Sequence, residues 1–162
     1  MASDIYLFDT NAIIEAVDIG WWNALSGGLV IETVAEVVEE CRRGDQLRSG
    51  YVAVDDANLA RLHRIHSVPD EGRAEIELLP KADAIHAGEK DLFWYAMYHV
   101  GDFNWVCSPD RGSVQFAIEH HLGDSLVSLE AALKKVGHAP KLRPHFSERW
   151  LSIERARALL DP

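Results

Sequence analysis

Only two cysteines occur in the 162 residues, Cys41 and Cys107. Each sits inside an apolar helix or strand pattern, which excludes a disulfide framework and reads as a pair of reduced core thiols. Basic residues are also scarce, with 16 Lys and Arg against 26 Asp and Glu for a net charge of −10. That balance argues against a protein that grips nucleic acid through a broad basic patch, because phosphate neutralisation supplies much of such affinity. No apolar run approaches the roughly 20 residues needed to cross a bilayer, so no membrane partner is expected. The opening Met1-Ala2-Ser3-Asp4 lacks the basic region and apolar stretch of a signal peptide, and a cytoplasmic protein is expected. Repeats and low-complexity tracts are missing as well. What is present is a composition 48% hydrophobic and 26% charged, which suits one folded domain with a single core.

The cations that do occur are clustered: Arg42, Arg43 and Arg48, then Arg61 and Arg64, then Lys134 and Lys135. Divalent ions could cancel further negative charge where a substrate backbone approaches. An acidic surface would equally suit a basic partner protein.

Along the chain, Ile5 to Phe8 is a short continuous apolar run that suits a buried parallel strand. Thr10 to Val17 reads as a helix broken by Gly20, and Trp21 to Leu25 as a further helical turn before Gly27 and Gly28. Leu29 to Ile31 reads as a second strand. Val34, Val37, Val38 and Cys41 recur with helical spacing, which predicts a helix over 33–43 ended by Gly44. Tyr51 to Val54 reads as a weaker strand, and Asp55 or Asp56 as the cap of a helix running through Leu59, Leu62 and Ile65 to Pro69. Residues 70–87 resist assignment, although Ile76, Leu78 and Leu79 should touch the core. Then follow a strongly apolar helix over 88–100, a strand at 105–107, a helix over 112–122, a short strand at 125–127 and a helix over 129–136 capped by Ser128. Beyond Gly137 come Pro140, Pro144 and an amphipathic helix from about Ser147 to Leu160. Alternation of this kind predicts a three-layer α/β/α sandwich with a central, mostly parallel sheet. The expected organisation is a domain over 1–137 and an extension over 138–162 packed on it.

Four acids, Asp9, Glu36, Asp91 and Asp110, lie where strand-like runs give way to helices or where helices begin. The carboxyl ends of neighbouring parallel strands share one crevice, so these acids can meet in space. Carboxylates gathered without cations are costly unless a metal ion neutralises them, which points to Mg²⁺ or Mn²⁺ and phosphate chemistry. Each acid also has a bland reading. Asp9 and Asp110 are good helix N-caps. Thr33-Val34-Ala35-Glu36 matches a capping box. Asp91 and its neighbour Glu89 suit a first helical turn through the helix dipole. The joint pattern is what favours a site, with Thr10, Asn11, Ser108 and Glu89 as supporting groups and Arg111 as a contact to substrate phosphate. Glu32, Glu39 and Glu40 read as poorer ligands, one step outside the strand or further along a solvated helix face.

These residues resemble the PIN-domain family of metal-dependent ribonucleases. Tyr6-Leu7-Phe8-Asp9-Thr10-Asn11-Ala12-Ile13-Ile14 is similar to the family's opening, and Thr33-Val34-Ala35-Glu36-Val37-Val38 to its second motif. Gly88-Glu89-Lys90-Asp91-Leu92 resembles the third motif and Ser108-Pro109-Asp110 the fourth; the likeness spans about residues 4 to 133. The tail beyond Gly137 has no assigned counterpart. The resemblance implies an endoribonuclease that uses Mg²⁺ or Mn²⁺ held by Asp9, Glu36, Asp91 and Asp110 and leaves 5′-phosphate and 3′-hydroxyl ends. It also implies the toxin of a toxin–antitoxin pair, with an antitoxin partner.

The alternative is a PIN-like module without activity that docks a basic protein. A phosphohydrolase with an Asp nucleophile ranks below both, since it would want a second Asp where Asn11 stands. His63, His66, His120 and His121 lack metal-binding spacing and read as structural or surface groups. Trp21, Trp22, Trp150, Leu151, Ile153, Leu159 and Leu160 could form a homodimer or antitoxin surface, or cover the domain's own helices; the second reading is favoured.

Overall fold

The computed structural model describes residues 2–43 and 54–161. Four strands, β1 (Ile5–Phe8), β2 (Val30–Val34), β3 (Arg64–His66) and β4 (Trp105–Cys107), form one all-parallel sheet in the order β3-β2-β1-β4. Around it stand α1 (Thr10–Asp18), α2 (Trp22–Gly28), α3 (Ala35–Arg43), α4 (Asp56–Leu59), α5 (Asp70–Glu77), α6 (Ala87–Tyr98), α7 (Arg111–Glu119), α8 (Leu129–Lys135) and α9 (Glu148–Leu160). The fold is α/β and compatible with a three-layer sandwich. Its centre is β1, flanked by both neighbours, and Leu7 and Phe8 are completely buried there. Residues buried on both faces need no alternation, which is why this strand reads as a plain apolar run.

Several boundaries move. β2 reaches Val34, so the helix expected over 33–43 starts at Ala35. Thr33 therefore makes no capping box; its hydroxyl donates to the Phe8 carbonyl at 2.7 Å and ties β2 to the end of β1. The helix expected through Ile65 shrinks to the single turn of α4, capped by Asp55. Arg64 to His66 instead pair with Glu32 to Val34 as an edge strand. Ile65 is 46% exposed, so the strand carries no apolar signature. The expected strand at 125–127 is only an isolated bridge between Leu126 and Val106. The unassigned stretch holds α5, which buries only Gly72 and Ile76, too thin a stripe to show a period. Of the expected strand from Tyr51 to Val54, residues 51–53 lie outside the described residues, as does Arg48.

Residues 138–161 pack on the rest of the chain. α9 packs on α7, and Phe146 just before it is 1% exposed. Arg143 bonds Glu15 of α1, itself 2% exposed, and stacks over the Phe146 ring. Glu154, buried on α9, pairs with Arg157 at 2.8 Å and Arg111 at 3.4 Å. The hydrophobic groups considered for a partner surface mostly cover the domain itself: Trp22 and Leu151 are buried, and the Trp21 ring packs at a tilt against His138. Ile153, Leu159 and Leu160 remain exposed. Both cysteines are buried and free, and among the described residues no helix is long and apolar enough to cross a membrane. Phe146→Ala should lower folding stability by about 3 kcal/mol or more, the usual cost of emptying a buried Phe site. Urea unfolding should show one transition, with the extension and sheet lost together.

Candidate functional site

The end of β1 passes directly into α1, and the first side chain beyond the strand is Asp9. Pairing with β4 continues one step past the strand, since the Asp9 amide donates to the Cys107 carbonyl at 3.0 Å. Ser108, the residue after β4, is therefore brought beside Asp9. Its hydroxyl donates to Asp9 Oδ2 at 2.7 Å, while Oδ1 accepts the Ala12 amide at 2.8 Å as an N-cap. Asp9 is 1% exposed. Burial first, and then the charge of Glu89, hold its carboxyl well above the usual carboxylate range; Asp110 adds to the rise, against the Ala12 and Ser108 hydrogen bonds.

Asp110 caps α7 by accepting the Ser113 amide at 3.2 Å. The approach of α7 depends on Gly112, where a methyl group would collide with the Ala84 carbonyl oxygen. Ser113 Oγ, completely buried in the first turn of α7, has no hydrogen-bond partner among the described residues.

Glu89 is the third member. It is 6% exposed, and its Oε2 accepts the His86 amide at 3.1 Å. Burial and the Asp110 charge push its pKa up to about 7. Helical geometry explains why Glu89 and not Asp91 joins the group. Residues two apart on an α-helix point about 200° apart, so only one of the two can face the crevice. Glu89 shares its stripe with buried Phe93 and Ala96. Asp91 points the other way, where its carboxylate receives Arg73 at 3.1 and 3.0 Å. Burial raises the Asp91 pKa and Arg73 opposes the rise.

Glu36 also lies apart from Asp9. It sits in the first turn of α3, pairs with Arg43 at 3.5 Å, and lines a cleft of about 200 Å³ with Asp91, Arg73 and Lys90. One turn further along, Glu40 takes the place expected for Glu36. Its Oε2 accepts the Thr10 hydroxyl at 2.6 Å and its Oε1 accepts the Gly88 amide at 2.7 Å. Gly88 makes this closeness tolerable, since a Cβ there would sit 2.7 Å from the Glu40 oxygens.

The four expected acids thus fall into two groups, Asp9 with Asp110 and Glu36 with Asp91. Glu89, expected only as a supporting group, and Glu40, expected on a solvated face, complete the first. A cleft of about 280 Å³ opens beside them, lined by Thr10, Asn11, Ile14, Glu40, Arg43, His86 and Glu89. Thr10 and Ser108 hold acids of the group through their hydroxyls, and Asn11 lines the cleft. Arg111 does not face this cleft; it points away to Glu154. Among the described residues no Lys or Arg pairs with Asp9, Glu40, Glu89 or Asp110. As placed, none of the described His, Cys, Asp and Glu side chains form a group of three that could hold a metal ion.

An exposed Glu titrates near 4.5 and Glu89 near 7, so the folded chain holds this proton more tightly than the unfolded one. The stability linked to it is fully present below about pH 4.5 and lost as pH rises to 7. Glu89→Gln should therefore stabilise the chelator-treated protein by about 1–3 kcal/mol at pH 8 and by nothing at pH 4. Urea unfolding at the two pH values checks this.

Comparison with known proteins adds no neighbour to this picture: no protein-family model, curated protein or solved structure matches the chain.

Proposed function

We propose that the chain is a PIN-like, Mg²⁺- or Mn²⁺-dependent endoribonuclease whose acids are Asp9, Glu40, Glu89 and Asp110. The observation that carries this reading is the meeting of buried and half-buried carboxylates, without Lys or Arg partners among the described residues, at the carboxyl ends of β1 and β4. Such a group is unfavourable by itself and becomes favourable when a divalent ion neutralises it. All-oxygen donors suit hard cations of this kind. The fit is one of donor chemistry and charge rather than preformed coordination distances.

When bound, the ion supplies charge neutralisation and polarisation at a phosphodiester. The chain's own residues do the rest. Ser108 and the Ala12 amide fix Asp9, and Thr10 and the Gly88 amide fix Glu40. Water attacks phosphorus, one of the four carboxylates takes its proton, the bond to the 3′-oxygen breaks, and the departing 3′-oxygen takes up a proton from solvent. The products are 5′-phosphate and 3′-hydroxyl ends. Asn11, Arg43 and His86 line the cleft through which the backbone of single-stranded RNA would approach. A role as toxin with an antitoxin partner belongs to the same proposal.

A second reading, an inactive module that docks a basic protein, draws on the net charge of −10 and on the lack of a ready-made coordination group among the described residues. Metal-screened cleavage of single-stranded RNA separates the two. The nuclease reading expects cleavage with Mg²⁺ or Mn²⁺, reduced roughly a hundredfold or more in Asp9→Asn and Asp110→Asn, the scale on which loss of one charge-stabilising group acts. It also expects Mn²⁺ to raise the melting temperature of the parent chain but not of Glu89→Gln. Asp91→Asn should leave cleavage nearly unchanged, because that carboxylate faces Arg73 and not the acid group. Cleavage abolished by Asp91→Asn and spared by Glu89→Gln would return Asp91 to the place of third acid. No cleavage and no Mn²⁺ effect would favour the docking module.

A further inference from the structure

A second cavity lies at the far end of the sheet. It measures about 370 Å³ and is built where α8 and α9 meet β1 and β4. Asp4 and Trp105 mark the amino ends of those strands, whereas Asp9 and Ser108 mark their carboxyl ends. The volume falls in the range of small-molecule sites, roughly 300–1,000 Å³. One side of its wall is apolar and partly aromatic, formed by Tyr6, Trp105, Leu126 and Leu151, and the rest is polar. Four of its lining residues, Glu148, Leu151, Ser152 and Arg155, belong to α9, so the cavity exists because the C-terminal extension is there.

The charges at its rim differ in how they are engaged. Both acids are already occupied. Asp4 accepts the Trp105 indole N–H at 3.0 Å, and Glu148 is held by Lys134 at 2.6 Å. The cations are less committed. Arg155 uses one terminal nitrogen on the Gly123 and Leu126 carbonyls, at 2.6 and 2.9 Å, and has no acidic partner among the described residues. Lys135, in the last turn of α8, is exposed and has no hydrogen bond or ion pair there either. An apolar slot edged by two cations without acidic partners, its acids already satisfied, complements one kind of ligand: a flat apolar body with a single anionic group. A cationic ligand would meet acids already in use and cations that repel it.

We propose that this cavity binds a small amphipathic anion, an aromatic or apolar ring system bearing a carboxylate, sulfonate or phosphate. The ring lies against Trp105 and Leu151, and the anionic group meets Lys135 and Arg155. The proposal is independent of the nuclease reading, because no residue of the cavity belongs to the acid cluster.

Titration with 8-anilinonaphthalene-1-sulfonate tests it, read by dye fluorescence and by calorimetry for stoichiometry. The folded chain should bind one dye saturably, and the uncharged N-phenyl-1-naphthylamine at least tenfold more weakly, a loss of about 1.4 kcal/mol or more. Lys135→Glu, at an exposed position, should weaken the sulfonate at least about tenfold and leave the uncharged dye unaffected. Ser152→Trp, which fills the slot, should abolish the saturable phase of both dyes, with far-UV circular dichroism confirming the fold. Should Ser152→Trp fail to fold, the Lys135→Glu comparison decides alone. Absence of saturable binding, a stoichiometry well above one, or equal sulfonate affinity in Lys135→Glu and parent would each overturn the proposal.

Discussion

The hydrogen bond from Ser108 to Asp9 is the constraint on which the rest of the candidate site depends. It joins the residues that follow β1 and β4, two strands nearly a hundred positions apart in the chain. Parallel pairing brings them into register, and the bond fixes the Asp9 carboxylate beneath the start of α1. Once that anion is buried, every acid that approaches adds an electrostatic load, and Glu89 and Asp110 both do so. A folded chain tolerates this only because its remaining packing is sufficient to hold the group together.

Buried acids elsewhere in the molecule follow a different rule. Glu15, Glu154 and Asp91 each have an arginine: Arg143, Arg111 with Arg157, and Arg73. Glu32 on β2 has His66 at 2.7 Å. These pairs join elements, since Arg143 ties the extension to α1 and Arg73 ties α5 to α6. Among the described residues, Asp9, Glu40, Glu89 and Asp110 accept only amides and hydroxyls. Within one chain, then, the partner of a carboxylate distinguishes the pairs that fasten elements from the proposed site better than burial does.

Much of the frame was legible in the sequence because its signals are local. The apolar runs of β1 and β4, the helical spacing of Val37, Val38 and Cys41 and the Ser128 cap all rest on neighbours a few residues apart. Asp9 and Asp110 were legible for the same reason, each being the residue at which a strand hands over to a helix. The third acid demanded a choice between Glu89 and Asp91, which differ only in the side of α6 they occupy. Phe93 and Ala96 on one stripe and Tyr95 on the other are all apolar, so hydrophobic pattern does not decide between the two sides. What decides is Arg73, eighteen residues away on a helix whose two buried positions carry no period. Glu40 was hidden by its context, because a Glu in the second turn of a charged helix resembles a solvated residue until Thr10 and Gly88 arrive. The edge strand β3 was missed since sheet pairing alone, without burial, makes it a strand.

The buried thiols carry a practical consequence. Cys107 lies under Asp9, and burial followed by the Asp9 charge holds its thiol well above the ordinary range; Cys41 is pushed up to about 12 by burial, Asp9 and Glu40. Neither offers a thiolate to solvent at neutral pH, so maleimide chemistry should pass over both native residues. A fluorophore or spin label attached at one introduced surface cysteine would then report from a single known address, with no need to strip the natural sulfurs out of the core.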